Sequence, residues 1–102
     1  MHIPERAARR ADAKVRAIVA RLVRAEHPEA LPGHADLFKT IGISLPAALE
    51  LLVSLEEEFG ISIPDSAFIE ARTVTALVVL VTEIVRRTSR ALEAAPRAMI
   101  AG

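Results

Sequence analysis

Apolar residues recur at helical spacing over the first quarter of the chain. Val15, Ile18, Val19, Leu22 and Val23 fall at i, i+3, i+4, i+7 and i+8, which predicts an amphipathic helix over Ala11–Glu26 with Arg16, Arg21 and Arg24 on its wet faces. His27-Pro28 disfavours further helix, and residues 28–33 read as a loop. Asp36-Leu37-Phe38 opens a short connection that offers Leu37, Phe38 and Ile41 to the core. A second helix is expected from Leu45 or Pro46 to Phe59, with Leu45, Leu49, Leu52, Leu55 and Phe59 as its buried stripe and Gly60 as its C-terminal cap. Ile61-Ser62-Ile63 alternates, but three residues before a proline make an extended linker rather than a sheet. Asp65 or Ser66 is placed to cap a short helical turn carrying Phe68 and Ile69 inward.

Thr73 is the expected N-cap of a last helix running from Val74 to about Arg90. Its β-branched run Val78-Val79-Leu80-Val81 suits a strand equally well. Length decides for helix: Val74, Leu77, Val78, Val81, Ile84 and Val85 keep the helical spacing over three turns, and no other strand is offered for pairing. The prediction is an all-α, up-down four-helix bundle with three long helices and one short one. Its domain spans 11–90, preceded by a basic extension over 1–10 that either prolongs the first helix or frays. A tail over 91–102 follows, helical at first and broken by Pro96.

Composition narrows the chemistry. The 102 residues are 52% hydrophobic, with three phenylalanines and no Trp or Tyr, so stacking platforms for bases are missing. The longest apolar run, Ala76 to Val81, is far short of a membrane span. Charged residues stand where a signal peptide needs its apolar stretch, and zero cysteines fits the cytoplasm, which is the expected location. The zero net charge hides a partition: residues 1–26 carry seven Arg/Lys and three acids, 27–70 one Lys and eight acids, and 71–102 five Arg and two acids. The arginines at 6, 9, 10, 16, 21 and 24 spread around the first helix rather than along one edge, and the chain as a whole is neutral, which argues against nucleic-acid binding. His2, His27 and His34 lack metal-ligand spacing.

Residues 41–64 are the most specific stretch: Ile41-Gly42-Ile43-Ser44-Leu45-Pro46, then Leu55-Glu56-Glu57-Glu58-Phe59-Gly60, then Ile61-Ser62-Ile63-Pro64. This resembles the second helix and following loop of acyl carrier proteins, which carry Leu-Gly-x-Asp-Ser-Leu, a helix ending in Leu-Glu-Glu-Glu-Phe-Gly, and Ile-x-Ile-Pro-Asp. The resemblance spans about residues 11–88 and is most specific from Glu50 to Asp65. It implies a carrier fold that catalyses nothing itself and shuttles or presents acyl groups to partner enzymes in fatty-acid, lipid or polyketide-type biosynthesis. A monomer with no membrane or nucleic-acid partner is expected. The implied cofactor is phosphopantetheine, if Ser44 is modified, with an acyl chain lying between the second and last helices against Leu49, Leu52 and Val78. Glu50, Glu56, Glu57 and Glu58 would dock acyl-transfer or synthase enzymes bearing basic patches, and a phosphopantetheinyl transferase would be a further partner.

Two readings of the start of the second helix remain open. Without gaps, Ser44 falls on the family's Asp and Leu45 on the modified serine. Ser44 is then only a helix cap, and the protein is an unmodified interaction module that docks through its acidic helix. With one residue shifted, Ser44 is the attachment serine and Leu45 the buried leucine after it. Pro46 favours that geometry mildly, because proline prefers the first helical position.

Overall fold

A computed structural model describes residues 5–94. Four helices follow in order: α1 Glu5–Val23, α2 Leu45–Phe59, α3 Asp65–Glu70 and α4 Val74–Ala94, with a single 3-10 turn at Pro28–Ala30 before α2. Among the described residues there is no strand. Residues 5–10 continue α1, and α4 runs four residues past Arg90. Pro96 and the rest of the expected tail from 95 lie outside the described residues, as do residues 1–4.

The core is aliphatic. Val15, Ile18 and Val19 of α1 meet Leu51 and Leu55 of α2 and Val74, Leu77, Val78 and Val81 of α4, with Leu37, Ile43 and Ile63 supplied by the connections. Leu22, Val23, Ile84 and Val85 are half-buried at the edges of their stripes. α1 and α4 are the most extensively packed pair.

α1 stops at Val23, before the expected Glu26. Arg24 adopts a left-handed conformation at φ 57°, and the Ala25 N–H donates to the Ala20 carbonyl at 2.8 Å, a closing pattern that ends the helix ahead of the 3-10 turn at Pro28–Ala30. Arg16 is not on a wet face: its side chain is 17% exposed, pairs with Asp12 at 2.7 Å and donates to the Leu31 carbonyl, tying α1 to the loop. At α2 the left-handed Gly60, φ 63°, closes the helix as expected, and the Ile61 N–H reaches back to the Glu56 carbonyl. Thr73 caps α4 by accepting from the Ala76 N–H at 3.0 Å. At α3 neither Asp65 nor Ser66 is the cap; Pro64 holds that place without a side-chain bond, and Ile69 faces solvent while Phe68 is half-buried.

The buried stripe of α2 is rotated from the expected one. Ala48, Leu51 and Leu55 are buried, Leu52 and Phe59 are half-buried, and Leu45 and Leu49 are 72% and 60% exposed. The reason lies in the helix itself. Leu, Val and Ala fill so many of its positions that more than one apolar stripe can be drawn at helical spacing, and only the contacts with α1 and α4 select one.

The loop before α2 is fastened to the α3–α4 junction. The Leu37 N–H donates to the Arg72 carbonyl at 2.7 Å, and the Thr75 N–H to the Gly33 carbonyl at 3.0 Å. Asp36 accepts from the backbone of Phe38 and Lys39, each at 2.8 Å, and grips Arg72 through Nε at 2.8 Å and Nη2 at 3.3 Å. The guanidinium lies 4.9 Å from the centre of the Phe38 ring. The hydrogen-bonded Arg72, helped by the Lys39 amide, holds the Asp36 carboxyl well below the ordinary carboxylate range.

Candidate functional site

The chain enters α2 through Gly42, whose φ of 88° is a turn that side chains resist. That turn buries Ile43 at 5% exposure and leaves Ser44 outward, in extended backbone at φ −77°, ψ 164°. Ser44 is the N-cap: its Oγ accepts from the Ala47 N–H at 3.2 Å, and its carbonyl takes the first helical bond from the Ala48 N–H at 2.9 Å. Leu45 and Pro46 are the first two helical residues, where a proline forfeits no hydrogen bond. Leu45 is thus a large aliphatic side chain in solvent at the first turn, and it is not the buried leucine that a one-residue shift requires.

A groove of about 540 Å³ opens beside this helix start. Leu45, Leu49 and Leu52 form one wall, Phe68 and Ile69 of α3 the other, and Phe38 with Arg72 close one side. An acyl chain laid from the start of α2 would run between α2 and α3. Leu49 and Leu52 line this groove, but it lies between α2 and α3 and not between the second and last helices, where the path was expected. Val78 does not line it, because it is 8% exposed and faces the core. Phe38, Phe68 and Arg72 are the groove residues that sequence reasoning missed. Their meeting depends on the loop fastening, and no local pattern announces it.

The four acidic residues separate into distinct situations. Glu50 and Glu57 are exposed on the same outward face, two turns apart. Glu58 lies 3.8 Å from Lys14 on α1. Glu56 turns to the backbone, its Oε2 accepting from the Ile63 N–H at 2.9 Å. That bond stitches the extended 61–64 segment to the end of α2, so Glu56 supports the fold before any partner arrives. Val53, 51% exposed, continues the apolar strip of Leu45 and Leu49 between the carboxylates. Among the described residues no group of three His, Asp or Glu gathers to hold a metal, and no helix is long and apolar enough to cross a membrane.

Residues 13–81 match the family described as the phosphopantetheine attachment site, and the chain belongs to that family. No curated protein matches it. The family's prosthetic group is phosphopantetheine, and Ser44 is an exposed hydroxyl at the start of α2. The fit is incomplete. The N-terminus of a 15-residue helix suits a phosphodiester anion. However, Ile43 stands buried where an acid would precede an attachment serine at Ser44, and Leu45 offers no nucleophile.

Proposed function

We propose that this member of the attachment-site family is an acyl-carrier-like protein that docks on acyl-transfer or synthase enzymes through α2 without bearing phosphopantetheine. The observation that supports this is the register of the helix start: Ser44 caps, and Leu45 fills the first exposed helical position, the place of the modified serine in the ungapped alignment. The docking surface is the strip Leu45, Leu49 and Val53, flanked by Glu50 and Glu57. Aliphatic anchors bordered by carboxylates suit a partner with an apolar depression inside a basic rim. Carrier domains are not catalytic themselves, so the role is binding and presentation, in the cytoplasm, as a monomer, in fatty-acid, lipid or polyketide-type biosynthesis.

A second reading keeps Ser44 as the attachment residue and the protein as an acyl shuttle. Its support is the exposure of Ser44 at a helix N-terminus beside the α2–α3 groove.

Intact mass after incubation with coenzyme A and a broad phosphopantetheinyl transferase separates the two. On the first reading the wild-type protein keeps its mass. The double change Ser44→Asp, Leu45→Ser, which restores Asp-Ser in the ungapped register, gains the prosthetic group, partially if Pro46 hinders it. Efficient modification of the wild type that disappears in Ser44→Ala would instead establish the shuttle.

A further inference from the structure

α2 ends at Phe59, but α1 and α4 continue past it, and the space beyond that end is a second, separate cleft of about 390 Å³. It shares no residue with the α2–α3 groove. Ala7 and Ala11 of α1, Val81 and Val85 of α4, and the Phe59 ring line its interior. Small residues on α1 make the room, since two alanines face what a leucine would fill. The volume lies within the range of roughly 300–1,000 Å³ usual for small-molecule sites.

The charges around this cleft are mainly of one sign. Arg10, Lys14 and Arg86 border it, with Glu83 as the one acid. Both Glu83 oxygens are already engaged, Oε2 by Arg86 Nη2 at 3.2 Å and Oε1 by Arg87 Nε at 2.9 Å. Lys14 has a distant carboxylate in Glu58, at 3.8 Å, and lies 5.6 Å from the centre of the Phe59 ring. Arg10 makes no ion pair among the described residues. Arg86 Nε is shielded from solvent and has no hydrogen-bond partner.

From the apolar interior and the cationic border together, we infer that this cleft binds an anionic amphiphile, a carboxylate carrying an alkyl chain. The chain lies over Ala7, Ala11, Phe59, Val81 and Val85, and the carboxylate sits at the border among Arg10, Lys14 and Arg86. This inference stands independently of how Ser44 is read, because the cleft lies at the other end of α2.

Decanoate, below its micelle concentration, is the probe, titrated into the full chain and followed by amide chemical shifts. Shifts should concentrate at Lys14, Val81, Val85 and Arg86. Decyltrimethylammonium, with the same chain and opposite charge, should bind at least about tenfold more weakly. Arg10→Gln combined with Arg86→Gln should weaken decanoate by about tenfold or more. Should that variant lose its helical spectrum, Ala7→Trp, at an exposed position bordering the cleft, should abolish the shifts by filling it. Equal binding of the two amphiphiles, or decanoate shifts confined to Leu49, Leu52 and Phe68, would overturn the inference. So would the same cleft shifts arising from protein concentration alone, which would assign the cleft to a second copy of the chain.

Discussion

α2 and α4 are both rich in leucine and valine, yet α2 exposes a continuous strip of them, whereas on α4 the exposed ones, Val79 and Leu92, stand far apart. Along α4, Val74, Leu77, Val78 and Val81 are all buried, and Ile84 and Val85 are half-buried, as a single stripe at helical spacing requires. Along α2, Leu51 and Leu55 are buried while Leu45, Leu49 and Val53 stand out between glutamates. α4 has one way to satisfy its hydrophobic pattern. α2 has more apolar residues than its inner face can hold, and the surplus forms a surface. The contrast teaches that a surplus of aliphatic side chains on one helix of a small bundle marks the face available to partners.

The sharpest way to break this comparison is to truncate neighbours on α2. Leu51→Ala should lower stability by about 2–5 kcal/mol in urea denaturation, as a buried leucine does, and Leu49→Ala by less than about 0.5 kcal/mol. Equal losses would return the helix to the phase first read from its sequence. Next in size is the division among the acids. Glu56→Ala should cost about 1–2 kcal/mol, because the Ile63 N–H loses a charged acceptor. Arg24→Gly should raise stability by about 0.5–1 kcal/mol by relieving the left-handed residue at the end of α1, readable as a higher melting temperature. Smallest in stability and largest in docking is the reversal Glu50→Lys with Glu57→Lys. It should move stability by no more than about 0.5 kcal/mol while weakening capture by a basic acyltransferase or synthase, with a reduced salt dependence. Capture that ignores both the reversal and the salt would leave those carboxylates as solvated surface.

The contrast also explains what was legible in the sequence. Signals carried within one element came through: Gly60 in its left-handed cap, Thr73 at the start of α4, and the single stripe of α4. The all-helical architecture and the family resemblance rested on such local patterns. The phase of α2 did not come through, because competing stripes through 45–59 differ only in which neighbour they meet. Asp36 and Arg72 were invisible as a pair for the same reason: 36 positions separate them, and neither carries a local mark of the other. The acidic run was read as one docking face, whereas one member, Glu56, is spent on backbone that only the folded chain brings within reach.

The Asp36–Arg72 contact fastens one side of the α2–α3 groove. Arg72 is at once half of that ion pair and a wall of the groove, and Phe38 lies under its guanidinium, so swinging α3 away from α2 strains the latch. The depressed Asp36 carboxyl contributes above the usual carboxylate range and loses its effect only as pH falls through the lowered value, so mild acid leaves the latch closed. Salt is the stronger lever, since side chains 26% and 43% exposed are open to counterions. Hydrogen exchange at the Leu37 amide, whose partner is the Arg72 carbonyl, should therefore quicken with ionic strength. A rate indifferent to salt would mean that the backbone bonds alone hold the entrance. Through this pair, a surface ion contact joins the loop before α2 to the far side of the groove.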